Sequence, residues 1–220
     1  MSRASDTFTE SFKEVASLRD IHERLTGTGR GYRPGMEVLN KSAIVLLCAI
    51  WEAYCEDVAD ESLSHLLAQS SDYSMLPKVL QKRVAKELKE DPHDLSPWKL
   101  AGAGWKTHMH GRLIAVKKRR DFDWNNPKSE HVDRLFEEVV GIAKVSHAWH
   151  WKHVSPTFAT KKLDQLVALR GDIAHRGKAG EAVIKAQVAG HLEHVRRLVV
   201  ATDAKLRDEL KRITGTTPWS

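Results

Sequence analysis

Ala43-Ile44-Val45-Leu46-Leu47-Cys48-Ala49-Ile50-Trp51-Glu52-Ala53-Tyr54-Cys55-Glu56-Asp57 is the stretch on which the fold turns. Its apolar run, Ala43 to Trp51, is about half the ~20 residues a membrane span needs, so it reads as a core helix. Extended at both ends, the pattern covers about Met36 to Gln69, with apolar positions at Leu39, Ala43, Leu46, Leu47, Ile50, Tyr54, Val58, Leu63 and Leu66. That spacing is helical, and at 1.5 Å per residue the helix spans roughly 50 Å. The two cysteines, Cys48 and Cys55, then lie roughly 10 Å apart along one axis, too far for a disulfide.

Outward from this helix the same period recurs, and no segment alternates as a strand does. Phe8, Phe12, Val15, Leu18, Ile21, His22 and Leu25 mark a first helix over 5–26, ended by a Gly-rich loop up to Pro34-Gly35. Short helices are expected at Leu76–Glu90 and Gly104–Arg120. Asn125-Asn126-Pro127-Lys128 opens another, with Asn126 as N-cap and Pro127 at its first position. A helix from about Thr160 buries Leu163, Leu166, Val167 and Ile173, and Gly177 ends it. The last runs from about Glu181 to Arg212, and Thr214 to Ser220 reads as a loose tail. The expected architecture is all-α: one domain over 1–220, with its core at about 36–212 and a tail at 213–220.

The 220 residues are 41% hydrophobic and 29% charged, an ordinary globular balance that excludes a disordered chain. Lys and Arg exceed Asp and Glu by 35 to 29. The excess permits an acidic partner such as RNA without requiring one. Met1-Ser2-Arg3-Ala4-Ser5-Asp6 lacks the apolar core of a signal peptide, and the expected location is cytoplasmic, with no membrane partner.

Chemistry concentrates at Arg170-Gly171-Asp172-Ile173-Ala174-His175-Arg176-Gly177. Arg170 and His175 stand five positions apart, a rotation of roughly 140°, so they do not share one face of an ideal helix. Either the helix unwinds near Gly177, or the two side chains meet across a symmetric interface. The bland alternative is a helix-end salt bridge with cations favoured by the C-terminal dipole. Asp172 is placed to pair with Arg176 at i,i+4 or to orient a catalytic group. Glu52, between Trp51 and Tyr54, is a carboxylate in an apolar stretch; it either takes Arg170 as partner or faces solvent.

This eight-residue segment resembles the R-x4–6-H motif of the HEPN superfamily, and most closely its RiboL-PSP type. Ala43–Asp57 is similar to that type's early helix. Asn125-Asn126-Pro127-Lys128 before Leu135-Phe136, and Leu163-Asp164-Gln165-Leu166-Val167-Ala168-Leu169 before the motif, are similar as well. The likeness spans about residues 40 to 200. It implies a HEPN-like bundle of long antiparallel helices with additional short ones, dimerising so that two motifs share a cleft. It also implies a metal-independent endoribonuclease with no cofactor, Arg170 and His175 being its catalytic pair. The position after the arginine is typically asparagine in the family and is Gly171 here.

Such residues suit RNA cleavage by attack of the 2′-hydroxyl on the neighbouring phosphorus. Histidine as a type exchanges protons near neutrality, and arginine offers a charged planar fork to phosphate oxygens. His175 is assigned the acid/base role, Arg170 the phosphate, and Arg176 RNA docking. By resemblance, the expected biology is a toxin or anti-phage defence effector, with a neutralising antitoxin or defence-system partner. The alternative is a non-catalytic HEPN module binding RNA, nucleotide or a partner protein; a third reading is a scaffold whose helices serve dimerisation alone.

Two further groups are weaker candidates for RNA contact. Lys117-Lys118-Arg119-Arg120 is a basic run at a helix end, where a solvated terminus is the plainer reading. Trp149, Trp151 and Lys152 interleave with His147, His150 and His153, suggesting bases stacked on indoles, against core packing as the plainer reading. A spacing of three and three turns the third histidine away, so no metal site is assigned.

Overall fold

The computed structural model describes residues 1–26, 37–123, 127–176 and 182–219. Among these, helices α1 (Arg3–Thr26), α2 (Glu37–Gln69), α3 (Lys78–Glu90), α4 (Gly104–Asp123), α5 (Ser129–Val140), α6 (Pro156–Arg176) and α7 (Lys185–Thr214) carry the fold, with three short 3-10 turns and no strand. It is all-α, as the periodicity predicts. The Gly-rich loop, Asn125-Asn126 and Gly177–Gly180 lie outside the described residues.

α2 is the centre. It packs against α1, α5, α6 and α7, which accounts for an apolar character that by length and composition alone would also suit a membrane span. Its middle buries an aromatic knot in which every polar handle is bonded. Trp51 stacks on Tyr54 (centroids 5.7 Å) and meets Trp149 edge-on (6.0 Å). Trp51 Nε1 donates to the Pro127 carbonyl (3.4 Å), the Tyr54 hydroxyl to the Val199 carbonyl (3.1 Å), and Trp149 Nε1 to Thr202 Oγ1 (2.8 Å). Large rings with satisfied donors bind α2, α7 and the approach to α6 into one core. Cys48 and Cys55 are both buried, and neither forms a disulfide.

Several boundaries differ from the sequence reading. α6 begins at Pro156 rather than near Thr160: Pro156 suits a first helical position, and the Ser155 hydroxyl accepts from Phe158 N–H (3.2 Å). α5 begins at Ser129, after Lys128, which makes no side-chain cap. The cap comes from α6 instead. Asp164 accepts from the Ser129 N–H (2.8 Å) and hydroxyl (3.0 Å), so a carboxylate 35 residues away does the work expected of Asn126. α5 ends at Gly141, whose φ of 72° is left-handed; its N–H reaches Glu137 and the Ile142 N–H returns to Phe136, a Schellman closure. The tail is not wholly loose, because Trp219 is buried at 8% exposure.

A side arm of α3 and α4 is clamped to α5 by Arg112. Its guanidinium grips Glu87 at 2.6 and 2.9 Å and donates to the Glu138 carbonyl at 3.2 Å. At the opposite pole Ser2 is fully buried, its backbone N–H and hydroxyl both on the Asp203 carboxylate of α7.

Candidate functional site

α6 carries the motif on its last two turns and is continuous through Arg176. No unwinding separates Arg170 from His175, so within one chain they stand roughly 140° apart and about 7.5 Å along the axis. Arg170 is half-buried, whereas Asp172 and His175 are exposed. The side chain of Arg176 lies outside the description, as do those of Lys117, Arg119 and Arg120; Lys118 is exposed.

Arg170 lies at the seam between α6 and α2. The marker is Cys48, whose Sγ sits 4.0 Å from the Leu166 carbonyl. Burial pushes that thiol up to about 12, Arg170 pulls it down, and Glu52 pushes it up. Both charges therefore stand within electrostatic reach of one buried sulfur, and Glu52 is itself half-buried. Among the two readings of Glu52, this location favours a carboxylate shared with the arginine's surroundings over one turned to bulk water.

Gly171 stands in open space. A Cβ added there would meet nothing within 4 Å. A helical glycine without a neighbour costs about 1 kcal/mol relative to alanine and gains nothing inside this chain.

Among the described residues, α2 leaves a stripe uncovered. Val38, Ser42, Ala49 and Ala53 are exposed and Val45 is half-buried, with Val38 at 66%. Two cavities, of about 450 and 520 Å³, are lined from α3, α4, α7 and the connections beside them, with no residue of α6.

The tryptophan reading is corrected. Trp149 is fully buried in the aromatic knot, so no base stacks on it. Trp151 is half-buried and leans on His194 (5.5 Å). Lys152, His147, His150 and His153 are exposed, and Lys152 and His153 form a tight Trp151–Val154 turn in which His153 is left-handed. Among the described residues no three His, Cys, Asp or Glu side chains gather in a metal-binding group.

The fold and the motif together define a class: an all-α bundle bearing an arginine and a histidine on the exposed end of a core helix. The chain belongs to the RiboL-PSP-HEPN family, whose model matches residues 6–208. At the coarse level this membership supports, it is a nuclease or RNA-related module. No curated protein and no solved structure matches the chain.

Two charged partners escaped the sequence reading. Asp164 caps α5 and Lys162 faces α7; both depend on contacts between helices distant in sequence, for which no local pattern exists.

Proposed function

We propose that the chain is a metal-independent endoribonuclease acting as a homodimer. His175 takes the proton of a ribose 2′-hydroxyl as that oxygen attacks the adjacent phosphorus. The bond from phosphorus to the 5′-oxygen breaks, a protonated imidazole supplies the proton to the leaving oxygen, and the products are a 2′,3′-cyclic phosphate and a 5′-hydroxyl. The Arg170 fork neutralises the charge that builds on the phosphoryl oxygens, with Arg176 docking the RNA. Asp172 and Glu52 hold the cationic groups in place. A toxin or anti-phage effector restrained by a neutralising partner in the cytoplasm is the biology this activity suits.

The observation that carries the reading is the Arg170–His175 pair on the exposed end of α6 in a chain of this family. Their separation around the helix is the reason for the dimer. A twofold mate places the histidine of one copy beside the arginine of the other, and the apolar stripe on α2 beside the open Gly171 offers the surface for it.

Incubating the protein with total RNA in EDTA tests the activity. His175→Ala and Arg170→Ala each lower cleavage by about 10²–10⁴-fold. Equal cleavage by wild type and His175→Ala would sink the assignment. The second reading, a non-catalytic RNA-binding module, draws on the same 140° separation within one chain; it predicts RNA binding with no cleavage at all.

A further inference from the structure

Beyond the motif, a cluster of basic groups sits where the first half of α6 crosses α7. Lys162 of α6 is half-buried, and its ammonium lies against α7: a Cβ at Gly190 would stand 3.8 Å from Nζ. His191 follows, half-buried, its Nδ1 enclosed and without a hydrogen-bond partner. His194, a turn further on, is buried, with Nε2 3.0 Å from the Ala159 carbonyl and its ring on Trp151.

Among the described residues no carboxylate answers this charge. Lys162 forms no ion pair among the described residues, and Glu193 beside it on α7 is held by Arg196 (2.9 Å) and Arg197 (2.7 Å). With no counter-ion among the described residues, Lys162 brings positive charge to this crossing. The His191 ring adds a donor to it. Its enclosed Nδ1 has nothing to give a proton to, so the neutral ring keeps its proton on Nε2, from which it can donate.

We propose that Lys162 and His191 form a phosphate-binding subsite for the RNA backbone in the α6–α7 groove; the substrate class rests on the proposed function. Lys162 lies eight residues before Arg170, about 12 Å along α6, which sets the subsite a few nucleotides from the scissile bond. His194 positions the two helices and does not touch the phosphate. Burial first, and Lys162 second, draw His191 down to about 4; His194, held down chiefly by burial, is also near 4. A proton added to the ring would sit on the enclosed Nδ1 with no acceptor, so His191 stays neutral, donates to the oxyanion through Nε2, and makes this contact independent of pH between 7.5 and 5.5.

The test uses the His175→Ala protein, which spares the RNA, with a single-stranded RNA 12-mer and, separately, inorganic phosphate. Binding is followed by fluorescence anisotropy and by the His191 ring resonance. K162M and K162Q lower RNA affinity about 3–10-fold at low salt and reduce the salt slope by about 0.7, one phosphate contact on a single strand. H191A lowers affinity about 3-fold at pH 7.5 and pH 5.5 alike, and H191Q, which keeps a donor, retains most of it. A ring shift with phosphate alone assigns the site to the free oxyanion as well as RNA; a shift with RNA alone assigns it to the backbone; both support the subsite. No shift with either, or an unchanged slope in both lysine variants, overturns it. The nuclease reading is judged apart: a wild type that binds through Lys162 but never cleaves removes the nuclease reading alone.

Discussion

Cys48 is a buried thiol flanked by a guanidinium and a carboxylate, and its burial outweighs the cation, so it stays protonated and unreactive at neutral pH. The same seam sets the environment of Arg170, and Gly171 stands next to it with nothing around it. Gly171→Ala therefore raises stability by up to about 1 kcal/mol, roughly 2–4 °C in Tm for a chain of this size. Thermal melting checks the first part. If cleavage falls while Tm rises, the glycine is there for a close approach by the partner or the RNA; if both rise, it is merely tolerated. At this scale the sequence made Arg170, His175 and Glu52 conspicuous by type and setting. It left Trp149 between a stacking platform and core packing, the plainer reading, because an indole between histidines reads alike whether it faces water or the core.

Helices here begin and end through their neighbours as much as through their own sequence. α5 takes its N-terminal cap from Asp164 of α6, so Asp164→Ala costs about 1 kcal/mol, typical of a lost cap, and loosens α5 against α6 as well. Urea denaturation reads the loss; an unchanged midpoint would mean that water replaces the carboxylate. The long period of α2 was legible to within a residue at its N-terminal end, since apolar spacing alone dictates a helix of that length. The start of α6 was not, because Pro156 can open a helix or break one and only the burial of Ala159 and Leu163 decides.

For the molecule as a whole, pH acts through the histidines between α6 and α7. Unfolded, those rings take up protons near 6.5; folded, His191 and His194 hold out until about 4. The unfolded chain binds more protons in between, so stability is full above about pH 6.5 and falls steadily toward pH 4. His194→Gln, which can still donate to Ala159, flattens that decline, and melts at stepped pH measure it. Assembly belongs to this scale too. Ala49→Arg and Ala53→Arg leave the monomer folded, since both positions are exposed, but turn the proposed dimer into monomer by light scattering and abolish cleavage. A wild type that is already monomeric and cleaves RNA at full rate refutes the shared cleft.

The sequence by itself determined the all-α class, the central helix and the residues of the motif, because helical periodicity and residue chemistry are local properties of the chain. Only the tertiary structure decided which way those side chains face. It kept α6 helical through the motif, buried Trp149, sent Asp164 to cap another helix, and set Lys162 beside His191. Each of these depends on which helices touch, and packing between segments tens of residues apart leaves no mark in the spacing of either one.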